Sequence, residues 1–260
     1  MALWRLVESP AADIFSQMEL DRQLFEELTR EEGSLPLLRI YQVSPPALTL
    51  GCSYKKRFSR FLLNLQSFLQ YGRRLPICVR PTGGGTVRHG DDLLYSVIAS
   101  RRTFLTFDKV RTSYLSFHEA IQEAFENLGI ETQLFRCDDP RVKRRARSRF
   151  GEFPDACFQT PVATDVALGD QKIAGGAQRR KGNTFLHQGS IRIPEGVSFE
   201  KLSQAFIAAF ERKFAVTWSH VKIAEVHPAP TGPGTPQSSR RLGARTEVHS
   251  PRAGWARGPR

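Results

Sequence analysis

Long apolar runs are missing from this chain. No stretch of about 18 uninterrupted apolar residues exists, so no membrane-spanning helix is expected. The N-terminus, MALWRLVESPAADIF, lacks a basic start followed by a long apolar core, so it does not read as a secretory signal. A cytoplasmic protein is the expectation. Cysteine is also scarce. The four residues, Cys52, Cys78, Cys137 and Cys157, form no C-x-x-C pair, which disfavours zinc and thioredoxin-type chemistry. In a reducing compartment each is expected to be a small buried apolar residue. Acids are in short supply: 26 Asp and Glu face 38 Lys and Arg, leaving a formal charge of +12 that implies an anionic partner. The basic excess gathers in RVKRRARSR (141–149) and in the C-terminal tail. Nucleic-acid recognition usually interleaves aromatics with such residues or supplies a reading helix, and the 141–149 run does neither, so nucleic acid is disfavoured. That run reads equally well as a solvated loop or as a docking patch.

What is present is the material of a globular fold. Hydrophobic residues make up 40% of the 260 and charged residues 25%, enough to bury a real core. Ser16 and Glu19 fit a capping box, with Phe15 placed to staple against Leu20. Leu20, Leu24 and Leu28 then share one helical face, and Gly33 suits the helix end. LLRIYQV reads as a strand, stopped by Pro45-Pro46, and ALTLG follows. Residues 58–71 repeat the helical spacing. PICVR and LLYSVIAS read as strands on either side of a glycine loop. Phe117, Ile121, Ala124, Phe125 and Leu128 mark a helix over 113–128, ending at Gly129. VATDVAL and QKIAGGAQ flank Gly169-Asp170, a tight-hairpin signal, and Lys181-Gly182-Asn183 marks a second turn. A last amphipathic helix covers about 199–214. Hairpin strands mixed with separate helices predict an α+β fold, a largely antiparallel sheet packed by helices. From 227 the composition shifts to Pro, Gly, Ser and Arg with little to bury, so 1–226 is expected to form the folded domain and 227–260 a disordered tail.

The loop RPTGGGTVRHG (80–90) is the obvious candidate for function. A P-loop needs Lys-Ser/Thr directly after its last glycine, and the dinucleotide fingerprint needs G-x-G-x-x-G; neither is here. Two further segments stand out. In DACFQTP (155–161), Cys157 sits in a loop beside proline, where burial is less obligatory than for Cys78 in PICVR. In DQKIAGGAQ (170–178), small residues follow Lys172 and would let a ligand or another chain approach the backbone. The bland alternative for Lys172 is a solvent-facing strand lysine. Were the thiol and the amine to meet, the cation would favour the thiolate, a good nucleophile toward thioesters, and could stabilise the developing charge on an acyl oxygen.

These motifs carry a family resemblance. R-P-T-G-G-G-T-V-x-H, L-x-Y-S-V, Cys157-Phe158, D-x-K-I-A-G-x-A-Q and H-Q-G-S-I run in order, preceded by M-E-L-D and by L-R-x-Y with P-P-A-L-T-L-G. Together they resemble the lipoate–protein ligase and octanoyltransferase superfamily, and more narrowly its cysteine-dependent octanoyltransferases, over roughly residues 10–215. The resemblance implies a catalytic fold shared with biotin ligases. It implies Cys157 as nucleophile and Lys172 as the residue that orients the acyl carbonyl and favours the thiolate. Arg80, Gly83, Gly84, Gly85 and His89 would shape the acyl pocket. The implied reaction moves octanoyl from acyl carrier protein to Cys157, then to a lysine of a lipoyl domain such as the glycine cleavage H protein or a 2-oxoacid dehydrogenase E2 subunit. No metal or nucleotide is needed for that route. The alternatives within the resemblance are an ATP- and Mg-dependent lipoate–protein ligase and an amidotransferase acting between two lipoyl domains. A binding module built on the same fold is the non-enzyme alternative.

Overall fold

A computed structural model describes residues 1–31, 33–52, 74–139, 142 and 161–222. The helix expected at 58–71, the basic run at 141–149 apart from Val142, and the 227–260 tail with its boundary lie outside the described residues. So does Cys157.

An eight-stranded mixed sheet organises the described residues. Its strands are β1 (Ala2–Glu8), β2 (Leu37–Tyr41), β6 (Asp92–Ser100), β7 (Gln133–Leu134), β8 (Val166–Leu168), β9 (Gln171–Lys181), β10 (Thr184–Arg192) and β11 (Val216–His220). Their spatial order is β11-β1-β2-β6-β10-β9-β8-β7. The pairs β1–β11 and β1–β2 are parallel; the others run antiparallel, as the hairpin signals predict. A second, three-stranded sheet has β3 (Ala47–Gly51) between β4 (Ile77–Arg80) and β5 (Thr86–His89). The α+β expectation holds.

The two-residue side-chain period of strands sorts each strand's residues between two layers. Leu38 and Ile40 of β2, with Tyr95 and Val97 of β6, join the large core that includes Trp4, Phe117, Phe206 and Phe210. That core is closed by α2 (Val110–Glu126) and α3 (Phe199–Phe214). Leu37 and Ile98 point the other way, onto Leu24, Phe25 and Leu28 of α1 (Ile14–Arg30). Among the described residues no helix is long and apolar enough to cross a membrane.

The start of α1 differs from expectation. Its N-cap is Asp13, whose carboxylate accepts from the Phe15 and Ser16 amides at 2.9 and 3.1 Å. Ser16 lies inside the first turn and donates its hydroxyl to the same carboxylate at 2.5 Å. An ionised carboxylate at a helix start satisfies two orphan amides and meets the positive end of the dipole, so it outcompetes the hydroxyl three residues later. The buried face of α1 also carries charge that its leucine spacing did not announce. Asp21 and Arg39 of β2 form a fully buried ion pair at 2.6 Å. Asp21 also accepts from Tyr41, Ser96 and Gln188 at 2.8, 2.6 and 2.6 Å. Gln188 in turn accepts from Thr82 of the glycine loop at 2.7 Å. One carboxylate therefore ties α1, β2, β6 and β10 together and, through Gln188, reaches the glycine loop.

Removing that carboxylate strands a guanidinium in the interior. Asp21→Ala is expected to lose about 3–5 kcal/mol of unfolding free energy in urea titration. A loss below about 1 kcal/mol would mean that water reaches Arg39, against its burial.

Candidate active site

The glycine loop is built around Arg80. Arg80 ends β4, is buried, and turns its guanidinium onto the loop itself, donating to the Gly83 carbonyl from Nε at 3.0 Å and from Nη2 at 2.5 Å. Its Nη1 donates to Thr49 Oγ1 at 3.1 Å. The loop packs over the end of β3 so closely that a Cβ on Gly51 would sit 2.0 Å from the Gly84 carbonyl oxygen. Gly84 holds a φ of 90°, and a Cβ there would meet the Arg80 guanidinium at 2.6 Å. Gly84 is thus explained by a backbone folded against its own supports. Gly85 stands apart from its neighbours: it is buried, its carbonyl accepts from the Gly51 amide at 3.4 Å, and it is not in the cavity lining.

His89 closes the loop. It bridges Thr49 Oγ1 at 2.8 Å and Asp92 Oδ2 at 2.7 Å, and Asp92 also accepts from Ser190 at 2.6 Å. Burial works to raise the Asp92 pKa, but the His89 imidazole and the Ser190 hydroxyl outweigh it and hold the carboxyl below the usual range.

A cavity of about 580 Å³ lies against this loop. That is a size at which small-molecule sites are commonly found. Arg80, Gly83, Gly84, His89 and Lys172 all line it, so five of the residues singled out from sequence come together. Met18, Val87 and Leu94 supply apolar wall, while Val110, Arg111 and Tyr114 bring the start of α2 to it.

Lys172 is not a solvent-facing strand lysine. Its ammonium pairs with Asp165 at 2.7 Å, with the two side chains 2% and 0% exposed. The small residues after it serve Lys172 itself: a Cβ on Gly175 would lie 2.7 Å from Lys172 Cε and 2.9 Å from Asp165 Oδ1. Asp165 is held by the Val162 amide, which donates to Oδ2 at 2.7 Å. The chain just before it, Val162 to Thr164, lines the cavity. Thr164 adopts a φ of 78°, a costly conformation for a β-branched residue, and its carbonyl lies 2.6 Å from His118 Nδ1. Burial keeps His118 below its ordinary pKa, with Asp165 acting in the opposite sense. Burial drives His187 well below its ordinary value, and a proton on it is disfavoured further beside His118 and Arg180. Both imidazoles are therefore neutral near pH 7.

Asp165, Thr49, Asp92 and Tyr114 escaped the sequence reading. Asp165 left one usable trace, an acid seven residues before a lysine across a tight hairpin. The expectation for the cysteines also needs correcting. Cys78 is buried, and burial, with Asp13 and Glu19 adding to it, pushes its thiol up to about 11. Cys52 and Cys137 are exposed, because each lies just beyond the end of a strand rather than within one.

The lipoyl protein ligase A/B catalytic domain model matches residues 13–218. The chain belongs to that family. The octanoyltransferase LipM of Moorella thermoacetica is 31% identical over 188 residues, 72% of this chain but 64% of that relative. The match thus spans just under two thirds of that relative's length. The LipM of Bacillus subtilis is 29% identical over 209 residues, 80% of this chain and 71% of its own. Among solved structures, an ATP-bound lipoate-protein ligase A aligns with a TM-score of 0.64 at 19% identity, covering 86% of this chain and 90% of its own. A bipartite lipoate protein ligase from Thermoplasma acidophilum, studied with its E2 lipoyl domain, gives 0.58 at 19% identity, covering 86% and 89%. At these identities the structural likeness establishes the lipoate-ligase fold.

The Gly175 contact yields a direct check. Gly175→Ala is expected to displace the flexible end of Lys172 rather than the backbone, lowering the thermal midpoint by several degrees as the buried pair is disturbed while the protein stays folded at the assay temperature. Acylation of the protein by an octanoyl thioester should fall at least about tenfold, because the ammonium is no longer placed. Normal acylation by this variant would detach Lys172 from the chemistry.

Proposed function

We propose that this chain is an octanoyltransferase of protein lipoylation, taking octanoyl from acyl carrier protein and passing it to a lysine of a lipoyl domain through a thioester on Cys157. The observation that carries the reading is the buried Lys172 ammonium, paired with Asp165 and set in the wall of a cavity with apolar and glycine surfaces. The named LipM relatives support octanoyl as the group moved.

The steps balance without another reactant. The Cys157 thiolate adds to the thioester carbonyl, and the C–S bond to the carrier breaks. The carrier leaves as a thiol after taking a proton, and octanoyl remains on Cys157. The acceptor amine then adds to the new carbonyl, the amide forms, and the Cys157 thiol is released with the proton shed by the amine. Lys172 stabilises negative charge on the acyl oxygen in both additions, an interaction stronger in the transition state than in the ground state. Val162–Thr164, which begins four residues beyond Phe158 in the sequence, lines the cavity and is anchored to Asp165 through the Val162 amide.

A ligase would instead activate a free acid with ATP and Mg. Nucleotide binding calls for cations turned toward phosphates. Here Arg80 is turned onto the Gly83 carbonyl and Thr49, and Lys172 onto Asp165. Those commitments favour a donor that arrives already activated, without metal or nucleotide. In this reading residues 1–226 form the catalytic domain.

Incubation with octanoyl-acyl carrier protein, without ATP, should give a hydroxylamine-labile adduct located on Cys157 by mass spectrometry. Cys157→Ser should carry no thioester. Turnover only with ATP, or a thioester on another residue, would sink the transferase reading.

A further inference from the structure

The rim of the cavity on the α2 side carries a surface that the chemistry above leaves unused. A 3-10 turn, Leu105–Phe107, leads into α2, and Leu105 is 98% exposed. Its neighbours Phe104 and Phe107 pack inward against Trp4, so the loop is fixed from beneath while the leucine stands out. Val110, five residues on, is 49% exposed and also lines the cavity. Arg101, Arg102, Lys109 and Arg111 flank this apolar knob in the sequence, and Arg180 of β9 reaches the same loop through the Asp108 carbonyl. The acid among them, Asp108, is already engaged: Arg101 bonds its carboxylate at 2.9 Å and Arg180 its carbonyl at 2.5 Å. The Arg180 bond ties β9 to the loop and the Arg101 bond ties it to the end of β6, so the surface is preorganised.

An almost fully exposed leucine and a half-exposed valine beside a cavity mouth, with cations flanking both in the sequence, form a rim suited to a macromolecular partner. Because Val110 and Arg111 belong both to this surface and to the cavity wall, a protein seated here has its reactive group within reach of Lys172's cavity. We infer that the Leu105 loop is the docking surface for the acidic acyl donor, a carrier protein whose acyl arm leaves it through a phosphodiester. The inference rests on the octanoyltransferase reading and deepens it. Charge chooses the donor over the acceptor. A cationic rim attracts the phosphodiester of the donor's arm, but repels the lysine ammonium that a lipoyl domain must present. Leu105 supplies the apolar contact at the centre, and Arg102 and Lys109 supply steering.

The test compares wild type with Leu105→Asp and Arg102→Glu, both exposed enough to leave folding alone. Binding of octanoyl-acyl carrier protein is measured by calorimetry over a salt series, and acylation by octanoyl-pantetheine, which has neither protein nor phosphodiester, is measured in parallel. Carrier affinity is expected to fall at least about tenfold for Leu105→Asp. Arg102→Glu should weaken binding with a shallower salt dependence. Acylation by octanoyl-pantetheine should stay at the wild-type rate in both. Carrier binding that is absent in wild type, or unchanged in the variants, overturns the surface; so does a loss confined to lipoyl-domain binding. A protein that binds the carrier through Leu105 but is acylated by neither donor keeps the surface and defeats the transferase reading instead.

Discussion

The Lys172–Asp165 pair is the constraint around which the site is arranged. Removing an ammonium and a carboxylate from water costs several kcal/mol per ion, and their attraction repays this only with good geometry and further hydrogen bonds. A pair of apolar residues in the same place would serve stability as well or better. The fold nevertheless builds supports for the charges: a glycine at 175 to make room, the Val162 amide on Asp165, and a left-handed Thr164 whose carbonyl meets His118. Such expense is understandable if the ammonium is to be presented, desolvated and fixed, to a group that develops negative charge.

The opposite wall is made by a different principle. There the backbone itself forms the surface, because Gly83 and Gly84 expose little but peptide groups to the cavity. Arg80 and Thr49 hold that backbone from behind, and Thr82 ties it through Gln188 to the Asp21 hub. One buried carboxylate thus supports the loop and another supports the lysine. The cavity between them owes its shape to two polar networks embedded in separate apolar clusters. Buried networks of this kind hold a single arrangement because each member is costly to leave unpaired.

Much of the architecture was legible from periodicity. The helix expected over 113–128 forms over Val110–Glu126, that at about 199–214 over Phe199–Phe214, and the Gly169-Asp170 hairpin joins β8 to β9. These succeed because apolar spacing reports burial directly. Charged positions escaped the same logic. A pattern reading assigns Asp21, Arg39 and Lys172 to solvent, since a single charge is usually exposed and its partner is distant in sequence. Arg39 and Asp21 lie on different elements, so neither residue's surroundings reveal the other. The gathering of Arg80, Gly83, Gly84, His89 and Lys172 at one cavity followed from the family motifs rather than from any local pattern. Asp165 was missed because its partner lies across a hairpin and is visible only once β8 and β9 are paired.

The decisive property is the placing of the Lys172 charge by Asp165. Asp165→Asn keeps the shape and the Val162 contact while removing the counter-charge, and the measurement is the rate of acylation by octanoyl-pantetheine as a function of its concentration. The maximal rate should fall by roughly a hundredfold with little change in the half-saturating concentration, as for loss of an oriented donor to a developing oxyanion. A maximal rate near that of the wild type would show that the buried pair is structural and that the acyl oxygen is stabilised elsewhere.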